Sequence, residues 1–551
     1  MTEDQEICEF KPPEKFNDPN YNCSHPSTRD GLCIFHIYKY TEQEKQAMAQ
    51  EERMAAEEID EQFRQLFLRL LENEEEDLEV EVCDFCYFHF PTIDLSQRQF
   101  TKPIKLIGAK FSDKTDFMMA KFNNNTVFRK ALFGNETNFR EVEFGNEIDF
   151  KDVEFGNETN FREAKFGNEI DFAGAEFGNK TNFISARFGN KTDFRCTKFG
   201  DHTNFSDSTF VNMADFGYAK LGNKADFYGA KFGSRAVFLR TKFGDEAYFW
   251  DAKFDNNAVF MDAEFGDGAN FCEAKFGDEI IFLKAKFGIR AYFRKTKFGN
   301  KISFMKAEFG SETNFWYAKF GDGIIFNSAK FGNKTIFWQA EFGNETSFGK
   351  AEFGNEADFK GTEFGNKTIF SGTVFNGKAN FEGDQIFKRA CFFTGVGLNE
   401  KAEIIFIKVD LSQTSFLDSD LERIRFRDVI WPRKGRRRGL WDEFQFDRIS
   451  FYEKQHDYEK IAENYRQLVL NYEAKRDFDT AEDFHIGEME MRRKKKRAIA
   501  NTKAYNAAEA KCFWAERMWR GWGLIQEWIN GYAVYRFLSK YGTSYLHGMM
   551  V

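Results

Sequence analysis

Three cysteines and one histidine near the N-terminus are the residues best suited to chemistry: Cys8, Cys23, Cys33 and His36. Three thiolates and an imidazole can close a tetrahedral structural zinc site. Cys33 and His36 share the tight Cys33-Ile34-Phe35-His36 spacing, while the gaps back to Cys23 and Cys8 are longer. The cofactor expected is therefore Zn2+, in a structural role, within residues 1–40. Cys83, Cys86 and His89 are also closely spaced, but they fall where a long repeat begins, and packing outweighs metal binding there. His485 and Glu488 lie on one helix face, where packing again outweighs a metal role. The 7 His lie in no nucleophile motif. The recurrent Phe-Gly-Asn triplets lack the strand-to-helix setting of a dinucleotide fingerprint. Catalytic sites cluster titratable groups in clefts. No such cluster can be read, and an enzyme is not expected.

The elements that must position these residues are written in the composition. Of 551 residues, 71 are Phe, 42 are Gly and only 7 are Pro, which points to a repeated unit. Residues 1–100 carry a charge of about −15, residues 101–400 about 0 and residues 401–551 about +5. A balanced middle argues against a basic nucleic-acid groove and against a uniformly acidic decoy. Nine cysteines make no disulfide framework and no signal peptide precedes them. Cys196, Cys272 and Cys391 are expected singly on the exterior, as suits a reducing, cytoplasmic setting.

From Phe111 an aromatic returns every eleven residues, through Phe122, Phe133 and Phe144 to Phe375. A second series, Phe117, Phe128, Phe139 and Phe150, runs to Phe392; exceptions are few, with Leu221 and Ile386 standing in for Phe on the line of the first. The result is about 26 units of the form A-K-F-G-N-x-T-x-F-x-x. A helix would carry a Gly in nearly every unit, at about 1 kcal/mol each relative to Ala, and would set the two series roughly 120° apart, with no seam. A β reading fits: a small or β-branched residue stands two before each Phe, as Ala164 before Phe166, so both point inward while a polar residue between them points out.

The five-residue step Ala164-Lys165-Phe166-Gly167-Asn168 resembles the unit of the pentapeptide-repeat family with Phe at its centre, and Val409 to Leu421 resembles its commoner form. The resemblance implies a mainly β chain, a right-handed quadrilateral β-helix with α-helical N- and C-terminal extensions. Steps here alternate five and six residues, so a coil has about 22 residues. Gly and Asn tolerate positive φ best, which places the extra residue at the Gly-Asn corner and predicts two wide corners opposite each other and two tight ones. About 13 coils would span roughly 60 Å, held by stacked Phe at about 150–250 Å² buried each. Less regular coils are expected at Leu95–Leu106 and Ile404–Trp431. Outward charges, such as Glu143, Lys165 and Arg187, are expected to alternate as a solvated face, because like charges stacked in register repel.

Six segments result: 1–40, a zinc-binding Cys/His module; 41–80, an acidic helix with Phe63, Leu66, Leu68 and Leu71 on its apolar face; 83–431, the solenoid; 432–450, a basic linker; 451–500, a helical hairpin; and 501–551, a Trp-rich amphipathic end. Tyr465, Leu468, Leu470 and Tyr472 would line the first helix of the hairpin, with Phe478, Ala481, Phe484 and Met489 on the second. Relatives of the family carry N-terminal modules ending in G-x-C-I-F-H, which supports zinc. The hairpin resembles that of channel-linked pentapeptide-repeat membrane proteins. Trp514, Trp519, Trp522 and Trp528 mix with basic residues as membrane-interface segments do. No window offers 18 uninterrupted apolar residues, so the end either lies on a membrane surface or precedes a span absent from this chain. The expected function is a non-enzymatic scaffold or sensory rod, cytoplasmic and peripheral at the inner face of a membrane, with protein partners and no nucleic acid. The alternatives are a DNA-mimicking topoisomerase inhibitor and a soluble protein-interaction adaptor.

Overall fold

The structure, a computed structural model, describes residues 11, 33–40, 42–76, 81–446 and 454–521. The chain divides into two units, Met1–Arg433 and Lys434–Val551. The body of the first is a four-sided parallel β-solenoid. Its strands are mostly two residues long, and each pairs in register with the strand one coil on, as Phe177 does with Phe155 and Phe199. One face carries fifteen such rungs, about 70 Å of stacking at about 4.8 Å per coil. The four faces can be numbered by the Phe that each sends inward: face 1 from Phe111, face 2 from Phe117, face 3 from Phe122 and face 4 from Phe128.

Rings of one face stack almost parallel from coil to coil. Phe227 and Phe249 lie 4.7 Å apart at 1°, and Phe249 and Phe271 4.8 Å apart at 5°. Rings of adjoining faces meet edge-on across the six-residue corner, as Phe243 and Phe249 do at 5.4 Å and 78°, and tilted across the five-residue corner, as Phe249 and Phe254 do at 6.1 Å and 43°. Stacked and edge-on contacts are favoured aromatic geometries, and the four ladders fill the coil. The small residue two before each Phe is fully enclosed. Where it is Thr, its hydroxyl in most coils donates to a main-chain carbonyl, as Thr137 does to Gly134 at 2.8 Å and Thr197 to Phe172 at 2.9 Å.

The corners alternate as the five- and six-residue steps require. The short corner is a β-turn: Ala120 N–H donates to Phe117 O at 3.0 Å, and the third residue, Met119, has φ 58°, the type II form. At the long corner positive φ falls neither on Gly nor on Asn but on the residue after them, Glu136 at 57° and Glu158 at 59°. This corrects the expectation. Those residues are held there because their N–H donates to the next coil, Glu136 to Asn157 O at 2.8 Å. Glycine is required for a different reason: a Cβ on Gly156 would lie 2.6 Å from the backbone of Asn135 and of Gly134 in the coil below. Asn forms a ladder, in which Asn135 Oδ1 accepts Asn157 N–H at 2.9 Å and Asn157 Oδ1 accepts Asn179 N–H at 2.8 Å.

Near the C-terminal end the repeat slips. Thr368 pairs with Cys391, one residue further on than the period demands. A one-residue shift exchanges inside and outside. Phe393 rather than Phe392 therefore stacks on Phe370, at 4.6 Å, and Phe387 rather than Ile386 stacks on Phe364. Cys391 turns inward and is fully buried, Cys272 is buried too, and only Cys196 of the three is exposed. In the last coils Ile404 pairs with Ile424, a twenty-residue coil without the extra corner residues, and Trp431 closes the stack against Phe426 at 5.0 Å.

The opposite end is covered by α1 (Glu42–Gln46) and α2 (Gln50–Glu76). Phe63, Phe67 and Leu71, four residues apart, are buried over the first coil, and Phe67 meets Phe85 and Phe90 edge-on. Leu66, expected inside, is exposed; the seam follows the four-residue helical spacing, which passes through Phe67 instead.

In the second unit α3 (Trp441–Phe446) is followed by the antiparallel pair α4 (Lys454–Ala474) and α5 (Phe478–Gly521). Tyr465, Leu468, Tyr472, Ala481, Phe484 and Met491 are buried, whereas Leu470, Phe478 and Met489, expected in the seam, are exposed. Gly487 sets the approach of the two helices, since a Cβ there would lie 2.6 Å from the Tyr465 ring.

Candidate functional site

With its interior sealed by rings, the solenoid can act only through its outward columns and its ends. Each column repeats one position of the coil at the strand spacing of about 4.8 Å. Expected alternation holds around Glu143, which lies between Lys121 at 2.9 Å and Lys165 at 2.8 Å. Hydrogen bonds from Lys165 and then Lys121 hold its carboxyl below the usual range. Such exposed pairs contribute below about 1 kcal/mol each. On face 4 four carboxylates stack in register, Asp149, Asp171, Asp193 and Asp215, and bases are supplied: Arg129 to Asp149, Lys151 to Asp171 at 2.7 Å, and Arg195 to Asp193. Burial pushes the Asp215 carboxyl up.

Alternation fails on face 3. Lys231, Lys253, Lys275, Lys297 and Lys319 stand in register on five consecutive coils. Only Lys275, with Asp251 at 3.1 Å, and Lys319, with Glu341 at 2.9 Å, have an ion pair among the described residues. Reading the sequence every 22 residues instead of every eleven would have found this column.

Around the short corner, face 2 carries aromatic side chains outward. Tyr228, Trp250, Tyr317 and Trp338 are exposed. Trp316 stacks on Trp338 at 5.5 Å and 11°, and the Arg294 guanidinium lies over it at 4.5 Å. Beside them a shallow groove of about 460 Å³ is lined by His202, Asn204, Lys224, Asp226, Glu246 and Tyr248.

At the capped end Cys33 Sγ and His36 Nδ1 lie 3.2 Å apart, both buried. Zinc–sulfur and zinc–nitrogen bonds of about 2.3 and 2.1 Å would set two ligands of a tetrahedral ion about 3.6 Å apart, so the pair is close enough for both side chains to reach one ion. Cys8 and Cys23 lie outside the described residues, and among the described residues no three His, Cys, Asp or Glu side chains form a metal cluster. Cys83, Cys86 and His89 are thus not gathered into one. Burial pushes the Cys86 thiol up. Burial, followed by Lys110, Lys39 and His36, holds His89 at about 3. The segment is pinned by Phe35, stacked on Phe88 at 4.5 Å, and by the buried Lys39, which donates to Ile34 O at 2.7 Å and Ile37 O at 2.9 Å. Burial lowers Lys39 to about 8. Lys45 and Asp60 form a buried pair at 2.6 Å that ties α1 to α2.

The basic stretch read as a linker is folded. Arg437 is buried and bonds Glu443 at 2.7 Å and Glu490 at 2.6 Å, while Tyr465 donates to Glu443 at 2.7 Å. Burial raises the Glu443 carboxyl, but hydrogen bonds from Lys434, Tyr465 and Arg437 outweigh it and hold the group below its usual value. No local sequence signal joins residues this far apart. His485 Nδ1 lies 3.8 Å from Glu488, which also pairs with Arg492 at 2.7 Å, a packing role. Trp514 and Trp519 lie on the backbone of α5, and Trp522 and Trp528 lie outside the described residues. Among the described residues no helix is long and apolar enough to cross a membrane.

A family model for pentapeptide repeats matches the chain in nine copies, with residues 139–185 and 337–383 covered. No curated protein and no solved structure matches it. The matched stretches carry the inward Phe, the small residue two before it and the four-face register described above, and in them the chain carries pentapeptide repeats.

Proposed function

We propose that this protein is a non-catalytic scaffold, a stiff rod whose outward columns are its recognition surface. The observation that carries this reading is the continuity of the four Phe ladders: they fill the interior of the solenoid and hold the outward side chains at a fixed coil spacing. Sites of chemistry need convergent polar groups in a recess, and columns on flat faces favour extended partners instead. Photo-crosslinking groups placed at outward positions of one face at a time test this. Partners captured from a single face support the rod; equal capture from all faces counts against it. The mixed signs of the columns favour this reading over DNA mimicry, which requires a continuous acidic stripe.

The Cys33–His36 geometry supports one structural zinc held by Cys8, Cys23, Cys33 and His36. Metal analysis of the full chain should give one zinc per chain, lost with Cys33→Ser. Exposed Phe478, Ile486 and Met489, followed on α5 by basic Arg492 to Arg497, support placing the C-terminal unit at the anionic inner face of a membrane. Flotation with phosphatidylserine vesicles, set against neutral ones, tests that location.

A further inference from the structure

The lysine column on face 3 has no structural explanation within the rod. Like charges directly opposite on neighbouring strands destabilise a sheet, and on face 4 the protein answers them: the four stacked carboxylates each lie near Arg or Lys. Lys231, Lys253 and Lys297 have no ion pair among the described residues. A line of five cations about 19 Å long is complementary to a linear polyanion.

The neighbouring face narrows the choice of polyanion. Three residues before each lysine, across the type II corner, stands the outward residue of face 2. On three of the five coils that residue is aromatic: Tyr228 before Lys231, Trp250 before Lys253 and Trp316 before Lys319. Each pair is held by its corner, Ala252 N–H donating to Phe249 O at 3.1 Å between Trp250 and Lys253. Trp338 extends the aromatic strip by one coil, and Arg294 fills the gap below Trp316. A cationic track beside aromatic side chains, without base-reading elements, is the arrangement that binds single strands by stacking bases and tracking phosphates. A duplex hides the faces of its bases and would gain only from the lysines. An acidic peptide or sulfated glycan would likewise have no use for the exposed Tyr228, Trp250 and Trp338 rings beside the lysines.

We propose that faces 2 and 3, from Tyr228 to Trp338, bind single-stranded nucleic acid lengthwise and without sequence preference. The proposal rests on reading the outward columns as the working surface, and it can fail while that reading stands.

The test is fluorescence anisotropy of labelled dT20 and U20 against the full chain from 50 to 200 mM NaCl, with a duplex of the same length, heparin and polyglutamate alongside. Single strands should bind more tightly than the duplex, with a log–log salt slope of about −2 to −3.5 for three to five phosphates. Lys253→Ala with Lys297→Ala should make the slope shallower by about 1.4. Trp250→Ala should weaken binding about tenfold at unchanged slope. All three side chains point outward, so thermal melting should match the parent and confirm folding. The proposal is overturned if dT20 fails to bind at 50 mM NaCl, or if the double lysine substitution leaves both affinity and salt slope unchanged, which would assign binding to Arg492 to Arg497. It is equally overturned if heparin or polyglutamate binds as well and Trp250→Ala has no effect.

Discussion

The solenoid and the helical pair both bury large rings, but they hold them in opposite ways. Phe249 is held by copies of itself: the same residue type above and below on face 2, with edge-on neighbours Phe243 and Phe265 from face 1 and tilted Phe254 from face 3. Tyr465 is held by unlike partners brought from four places, Arg437, Leu440, Glu443 and Phe484. The first arrangement is redundant, and its energetics are those of nearest neighbours. The second is a closed polar network, in which removing one member leaves others buried and unsatisfied. Damage to the solenoid should therefore stay local, while damage to the helical pair should spread through the unit.

The largest effect is expected from Phe249→Ala. Loss of a fully buried ring costs about 3–5 kcal/mol, because neither neighbouring coil can close the gap without breaking its own stack. Hydrogen exchange should show faster opening in the coils carrying Phe227 and Phe271, and little change in coils several rungs away. Loss of protection along the whole rod would break the comparison, since it would make the solenoid one cooperative body.

Glu443→Gln comes next, at about 3 kcal/mol. It keeps the shape of the side chain but leaves the Arg437 guanidinium facing a neutral amide. The same group sets an acid limit. Its folded-state carboxyl titrates below its ordinary value, so its contribution is fully present above the ordinary carboxylate range and is lost as pH falls through the folded value. Melting of the second unit should fall on acidification in the parent, and the Gln variant should lack that part of the fall.

How much of this was legible follows from the same contrast. The four faces, the inward Phe and the solenoid's limits near Cys83 and Trp431 could be read because each position is reported many times. The slip before Phe393 could not, because a single inserted residue has no repeat to expose it. Nor could the position of the positive φ: propensity points to Gly and Asn, but the hydrogen bond from Glu136 to the coil above decides the matter. In the helical pair every contact occurs once. Leu470 and Phe478 fit a helical period as well as Leu468 and Phe484 do, and only the partner helix separates them. The lysine column was hidden for another reason. Segment charge averages over faces, and the balanced middle conceals a stripe of one sign beside columns of mixed sign.

Two glycines sharpen the contrast at smaller cost. Neither Gly156 nor Gly487 has positive φ, and each is needed for close approach. Gly156→Ala sets a Cβ against backbone, Gly487→Ala against a ring fixed by its hydrogen bond to Glu443. Each should cost about 1–3 kcal/mol. The first should leave the solenoid folded with one loosened corner, visible by hydrogen exchange; the second should lower the denaturant midpoint of the whole helical unit.

The smallest expected effect separates two explanations of the corner asparagines. If Asn157 were present for its tolerance of positive φ, Asn157→Gly would be neutral or better, since Gly adopts that conformation freely. Asn157 has no positive φ; its Oδ1 instead accepts the N–H of Asn179 in the coil above. Asn157→Gly and Asn157→Ala should then each lose about 1 kcal/mol, the net value of one hydrogen bond. Asn157→Asp should stay close to the parent, because a carboxylate oxygen accepts the same bond, as Asp201 does from Asn223 at 2.6 Å. Denaturant unfolding of the three variants reads the order directly. A Gly variant as stable as the parent would return the corner to backbone preference and remove the ladder from the account of how wide corners are held.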